Sequence, residues 1–280
     1  MKSAINVSNL TKNYPDFNLK SISFNVPSGY ITGFIGPNGA GKTTSLKSIL
    51  NLINIENGLI KVFDQDTYSH SDIGIVMDMP FFVEDWTLVD VESALKPFYS
   101  NWDSNKYNYY LSQFKLNPSK KIKDLSRGMK VKLMLATALS HHAKLLILDE
   151  PTSGLDPVAR EEICELLSDF VSDENHSVFF STHITSDLEK IADYIIFILN
   201  GEIVFSGEKD ELIDKYKLIK GGLEDLNASI KTQAIGLREH STGFEALFPH
   251  DQIKQLNSNI LVESSNLDEI IVYMNKELKR

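Results

Sequence analysis

The segment Gly36-Pro37-Asn38-Gly39-Ala40-Gly41-Lys42-Thr43, followed by Thr44, has the residue types and spacing to hold a chain of phosphates. It fits the pattern G-x-x-x-x-G-K-[ST]. Its glycines let the backbone wrap phosphates closely, with successive N–H groups aimed inward at the positive end of a following helix. Lys42 would reach the β- and γ-phosphates, and the Thr43 hydroxyl would ligate Mg²⁺. With glycine near 7% of average sequences, a chance match in a chain this long has a probability on the order of one per cent. Such a site also needs oxygen ligands for the metal and a base beside the γ-phosphate. The run Leu145-Leu146-Ile147-Leu148-Asp149-Glu150 supplies both: Asp149 would hold the metal through its water shell, and Glu150 would polarise the attacking water. Alone, an Asp-Glu pair after a strand is an ordinary polar turn; beside a phosphate loop it reads as the other half of a hydrolytic site.

These groups need elements to carry them. Tyr30 to Ile35 reads as a short buried strand, followed by the glycine-rich turn and a helix from about Lys42 to Leu52. Upstream, Ala4 to Val26 alternates apolar and polar residues around Pro15 and Pro27-Ser28-Gly29, as antiparallel strands and turns do. Lys144 to Leu148 and Ser177 to Ser181 are strand-sized apolar runs, and Tyr194 to Leu199 and Glu202 to Phe205 flank the hairpin dipeptide Asn200-Gly201. Together these runs predict one mixed sheet. Residues from about 85 to 140 lack strand alternation and read as a helical subdomain. Its aromatic residues Phe98, Tyr99, Trp102, Tyr107, Tyr109, Tyr110 and Phe114 are assigned first to packing, with a docking surface for a partner helix as the alternative. The motifs stop near Tyr216. Residues 217–280 form a C-terminal extension expected to pack against the main body, with Lys220-Gly221-Gly222 as linker and a closing helix from Asn266 to Leu278.

Composition sets the outer limits. The 280 residues carry 28 Lys and Arg against 38 Asp and Glu, a net charge of −10, so nucleic acid is not an expected partner. Cys164 is the single cysteine, which excludes an intrachain disulfide and suits a reducing compartment. No run approaches the roughly 18 apolar residues of a membrane helix, and the first residues lack the apolar stretch of a signal peptide. Any membrane role is therefore expected to come through another protein.

The ordered series Gly36…Thr43, Leu125-Ser126-Arg127-Gly128-Met129, Asp149-Glu150, Ser153-Gly154-Leu155-Asp156 and His183 resembles the ATP-binding subunits of ABC transporters over roughly residues 1–216. The resemblance implies an α/β P-loop NTPase of the ABC ATPase type. Such a protein has a mixed β-sheet core, an antiparallel β subdomain and a helical subdomain, here with a small C-terminal α+β extension. It also implies ATP and Mg²⁺, and a sandwich in which two cassettes face each other head to tail. Carried over, Ser126, Arg127, Gly128 and Met129 form the signature that contacts the γ-phosphate of the facing chain, Asp156 couples the two sites, and His183 senses the γ-phosphate and orients water. Tyr14 matches the aromatic that stacks on adenine. For single residues simpler roles remain open: a plain tyrosine at 14, a helix N-cap at Ser126, a satisfied histidine at 183.

Two segments depart from the family pattern. The signature usually reads Leu-Ser-Gly-Gly-Gln, whereas here Arg127 adds a cation and Met129 removes an amide. The strand Ile73-Gly74-Ile75-Val76-Met77 leads to Asp78 where the family usually has Gln; Asp78 is expected to reach Mg²⁺ through water. With the C-terminal extension, these departures resemble a branch of exporters for antimicrobial or amphipathic peptides, among them bacitracin-type exporters and the exporter of phenol-soluble modulins. The resemblance implies a separate membrane permease, a homodimer or a heterodimer with a second ABC ATPase, and a place on the cytoplasmic face of the membrane. The competing class is a soluble ABC-type ATPase that remodels or scaffolds another complex. Its translation-factor form carries two cassettes per chain and its DNA-repair form a long coiled coil, and neither feature occurs here. A P-loop kinase or GTPase lacks the signature segments.

Overall fold

The computed structural model describes residues 2–66, 68–78 and 81–277. The chain divides into two compact units, Met1–Ser206 and Gly207–Arg280. In chain order the first contains β1 (Ser3–Tyr14), β2 (Phe17–Pro27), β3 (Ile31–Ile35), α1 (Lys42–Ile49), β4 (Asn57–Val62) and β5 (Ile73–Val76). Then come α2 (Leu88–Leu95), α3 (Ser104–Gln113), α4 (Arg127–Ser140), β6 (Leu145–Asp149), α5 (Pro157–Phe170), β7 (Ser177–Thr182), α6 (Thr185–Ile191), β8 (Tyr194–Leu199) and β9 (Glu202–Glu208).

Strand burial explains the two sheets of this unit. In β3, β6 and β7 every residue is buried, the near-continuous apolar run of a parallel sheet covered on both faces. They lie inside a six-stranded sheet of order β5-β6-β7-β3-β8-β9, with β5, β6, β7, β3 and β8 parallel. The four runs predicted to share a sheet all belong to it. β1 and β2 alternate buried and exposed residues and join β4 in a three-stranded antiparallel sheet of order β2-β1-β4. Phe24 of β2, Phe34 of β3 and Phe179 of β7 join the layers, with ring centroids 5.4–5.9 Å apart. Each such ring contributes roughly 1.5–3 kcal/mol by leaving water. The helix after the phosphate loop ends at Ile49, short of the expected Leu52, where Asn51 turns left-handed at φ 55°.

The helical stretch is built on local caps and one buried ring. Thr87 and Asp90 form a reciprocal capping box at the start of α2. Asp103 caps α3, and Ser126 caps α4 by accepting from Met129 N. Tyr107 is fully buried and donates its hydroxyl to Leu88 O at 2.9 Å; burial pushes its phenol well above the usual range. Tyr99 stacks on His141 with centroids 4.1 Å apart, Trp102 lies 5.4 Å from Tyr107, and Tyr110 stacks on Phe114. The aromatic stripe therefore divides: these five rings pack, while Phe98 and Tyr109 are exposed at 82% and 56%.

The second unit contains α7 (Lys209–Lys215), β10 (Tyr216–Gly221), α8 (Ala228–Gln233), β11 (Ile235–His240), β12 (Gly243–Pro249), β13 (Leu261–Ser264) and α9 (Leu267–Glu277). Its strands form an antiparallel sheet of order β11-β12-β10-β13 around Ile219, Phe244, Ala246 and Phe248. The division falls before the expected boundary at 216, because α7 buries Leu212 and packs on β10 and α9. Lys220 and Gly221 are no linker: they pair with Glu245 and Phe244 inside β10. The closing helix starts as expected, with Asn266 and Glu269 forming a reciprocal cap; its expected last residue, Leu278, lies outside the described residues.

The β8–β9 turn brings two backbones close together. Asn200 and Gly201 have φ of 49° and 76°, as a two-residue hairpin turn requires. A Cβ on Gly201 would lie 1.9 Å from Asn18 O, and Gly201 O accepts from Lys20 N. Gly201→Ala is expected to lower stability by about 1–3 kcal/mol, read as a shift of the urea midpoint; an unchanged midpoint would refute this account of the turn.

Candidate functional site

The parallel strands end at one edge, and the polar groups lie just beyond it, where open α/β sheets bind ligands. The phosphate loop follows β3, the Asp149-Glu150 pair ends β6, His183 follows β7 and Asp78 follows β5. A cleft of about 1080 Å³ is lined by Asn38, Gly39, Gly41, Lys42, Thr43, Thr44, Asp78, Arg127, Asp149, Glu150, Ser153 and His183, with Phe17, Phe81 and Tyr99 among its apolar walls. Residues spread over nearly the whole first unit thus face one space.

The loop is shaped by its own packing. Gly41 caps α1 at φ 113°, and a Cβ there would lie 2.6 Å from Leu19 Cδ2 and 2.8 Å from Phe17 Cζ. No side-chain-bearing residue fits that bend. The Lys42 side chain is 6% exposed and curls back, its Nζ donating to Gly36 O at 2.7 Å and Pro37 O at 3.3 Å. Glu150 Oε1 lies 3.3 Å from the same Nζ.

Asp149 is 2% exposed, and both carboxylate oxygens accept hydrogen bonds: Oδ2 from Thr43 Oγ1 at 2.9 Å and Oδ1 from Ser181 Oγ at 2.5 Å. Ser181 also steadies the next residue, because Glu150 N donates to Ser181 O and to Ser181 Oγ, each at 3.1 Å. Glu150 has φ 52°, a left-handed conformation rare for a residue with a side chain. That strain turns its carboxylate back over the loop, where Oε2 lies 2.7 Å from His183 Nδ1. An ionised carboxylate only accepts, so Nδ1 carries the proton in this pair.

The residues fit a magnesium–triphosphate. Thr43 and Asp149 offer one hydroxyl and one carboxylate, and no group of three or more His, Cys, Asp or Glu that could hold a metal occurs among the described residues. So sparse a protein ligand set suits Mg²⁺, which keeps several waters and takes phosphate oxygens.

Other expected site residues lie elsewhere or do something different. Tyr14 does not line the cleft; it is 41% exposed, with Lys12 Nζ 5.4 Å from its ring centroid. Its partner across the β1–β2 turn, Phe17, is the aromatic at the cleft wall. Asp78 was expected as a metal ligand, yet its Oδ1 is held by Arg127 Nη2. Asp156 caps α5, accepting from Val158 N and Ala159 N at 3.0 Å, and the Ala159 and Val158 amides hold its carboxyl below the usual range. Phe17 and Ser181 were missed. The signals are Phe17's place opposite Tyr14 and a hydroxyl directly after the apolar run Val178–Phe180.

The sequence matches the ABC transporter family over residues 19–153. It is 31% identical to the bacitracin transport ATP-binding protein BcrA of Bacillus licheniformis, over 82% of this chain and 78% of that one. It is 34% identical to the lantibiotic transport ATP-binding protein SrtF of Streptococcus pyogenes, over 74% of this chain and 91% of that one. Among solved structures, an ATP-binding subunit of an ABC transporter superposes with a TM-score of 0.64 at 26% identity, covering 75% of this chain and 92% of that one. The cassette MJ0796, in a dimeric post-hydrolysis state with ADP and Pi, superposes with a TM-score of 0.65 at 23% identity, covering 73% and 98%, a likeness of fold.

Ser181 supports the carboxylate expected at the metal by donating its hydroxyl to Asp149 Oδ1. Ser181→Ala is expected to raise the Mg²⁺ concentration for half-maximal ATP hydrolysis by about 10–100-fold. A magnesium titration of activity checks this, and an unmoved midpoint would count against Ser181 as the support of Asp149.

Proposed function

The chain belongs to the ABC transporter ATP-binding family, and we propose that it hydrolyses ATP with Mg²⁺ to drive a separate membrane permease that exports an amphipathic or antimicrobial peptide or drug. The observation that carries the hydrolytic part is Glu150, held between the Lys42 cation and the His183 ring at the end of β6. The names of relatives that transport bacitracin and lantibiotics support the choice of cargo. No helix among the described residues is long and apolar enough to cross a membrane.

Mechanistically, the loop amides and Lys42 bind the triphosphate, and Lys42 exchanges its carbonyl partners Gly36 and Pro37 for phosphate oxygens. Thr43 and Asp149 would hold Mg²⁺, which would supply charge neutralisation and orientation of the phosphates. Glu150 accepts the proton of the attacking water, and His183, fixed through Nδ1, presents Nε2 toward the cleft to hold that water or the γ-phosphate. Phe17 replaces Tyr14 as the ring offered to adenine.

Two chains paired head to tail complete the site. Gly128 supports this pairing: among the described residues of its own chain a Cβ would meet only Leu155 Cδ2, at an ordinary 3.5 Å. The fold itself would accept a side chain there, whereas phosphates approaching from a second chain require bare backbone at the start of α4.

Glu150→Gln is expected to retain ATP affinity, lose hydrolysis by a factor of 100 or more, on the order of general-base catalysis, and accumulate an ATP-bound pair. Steady-state hydrolysis at the wild-type rate would refute the base. Lys42→Ala is expected to lose nucleotide binding in a calorimetric titration. Affinity purification from detergent-solubilised membranes should recover a multi-helix permease; recovery of a soluble complex alone would favour the remodelling class.

A further inference from the structure

Arg127 and Asp78 each differ from the residue usual in the family pattern, and the fold brings them together. They are 49 residues apart in sequence, one opening α4 and the other following β5, yet Arg127 Nη2 bonds Asp78 Oδ1. The Arg127 shaft also lies along the segment leading to Asp156. A Cβ on Gly154, where φ is +69°, would sit 3.3 Å from Arg127 Cδ and 3.4 Å from Nε. The guanidinium is therefore directed by a carboxylate on one side and bare backbone on the other. Both members line the cleft that holds Lys42 and Glu150.

The pair is built to be broken. Its side chains are 47% and 51% exposed, and an exposed ion pair contributes little. The terminal phosphate of a triphosphate carries more charge than a single carboxylate, and two of its oxygens accept the planar guanidinium fork in the same geometry. In a water-poor closed interface that preference grows.

We propose that Asp78 and Arg127 form an exchangeable ion pair: Asp78 holds the Arg127 guanidinium within one chain, and Arg127 passes to the triphosphate bound by a second chain as the two close. This rests on the head-to-tail pairing under Proposed function. Asp78 is then a positioning residue that competes with phosphate, and the strength of its hold sets the ATP concentration at which two chains pair. The exchange also ties the loop after β5 to nucleotide binding. That tie holds because Asp78 loses this partner only when Arg127 leaves.

The test uses the full chain in the Glu150→Gln background, with dimer fraction followed by analytical ultracentrifugation against MgATP. Asp78→Asn is expected to lower the ATP midpoint for pairing about two- to fivefold, the range an exposed ion pair commands, and the shift should shrink in 1 M salt. Arg127→Ala is expected to raise the midpoint, Arg127→Lys to recover part of it, and Asp78→Asn to have no effect once Arg127 is Ala. An Asp78→Asn shift that persists at full size in the Arg127→Ala background would overturn the exchange, since it would report only a removed negative charge. A raised midpoint in Asp78→Asn that excess Mg²⁺ restores would overturn it in favour of a metal role. If Glu150→Gln alone forms no ATP-dependent pair, the two-chain reading itself falls and the exchange falls with it; a pair that forms with midpoints unmoved by Asp78→Asn removes the exchange alone.

Discussion

Asp149 is a carboxylate taken out of water at the end of an apolar strand, and a buried charge of this kind costs several kcal/mol unless it is partnered. Its two partners come from different strand ends, Thr43 after β3 and Ser181 in β7. Because β6, β7 and β3 are neighbours in one parallel sheet, satisfying this charge aligns three loops that are far apart in sequence. The phosphate loop, Glu150 and His183 stay beside one another only if that alignment holds.

Around this bond the site balances opposing charges. Lys42 is almost fully buried yet bonds only loop carbonyls and Glu150, partners that phosphate oxygens outcompete. Glu150 sits in a left-handed conformation that its strand would not choose. The strain is offset by two hydrogen bonds to Ser181 and by contacts of the carboxylate with Lys42 and His183. A carboxylate held this way needs little reorganisation when water arrives, which is what a base in hydrolysis requires.

The arrangement at Arg127 adds a second theme. Arg127 and Asp78 both replace uncharged residues of the family pattern, and the two changes compensate each other electrostatically within the fold. A change at one alone would remove the partner that the other's charge has across the cleft. Considered together, they give one physical link between the loop after β5, the start of α4 and the Gly154 segment.

Much of the architecture was legible in the order of residues. The buried runs of β3, β6, β7 and β8 are apolar because parallel strands lose both faces to packing, and the Asn200-Gly201 turn announced itself by the left-handed angles it needs. The phosphate loop, Asp149, Glu150 and His183 were legible because their chemistry restricts residue type and spacing. What depended on tertiary structure was every choice between partners that sequence leaves equivalent. Phe17 rather than Tyr14 lines the cleft because the β1–β2 hairpin packs one side against Gly41. Asp78 faces Arg127 because β5 and α4 bring those two ends together in space. Lys220 and Gly221 lie in a strand because β12 and β13 pair on either side of it. Spacing along a chain determines which groups are available; only packing determines which of them are within 3 Å of one another.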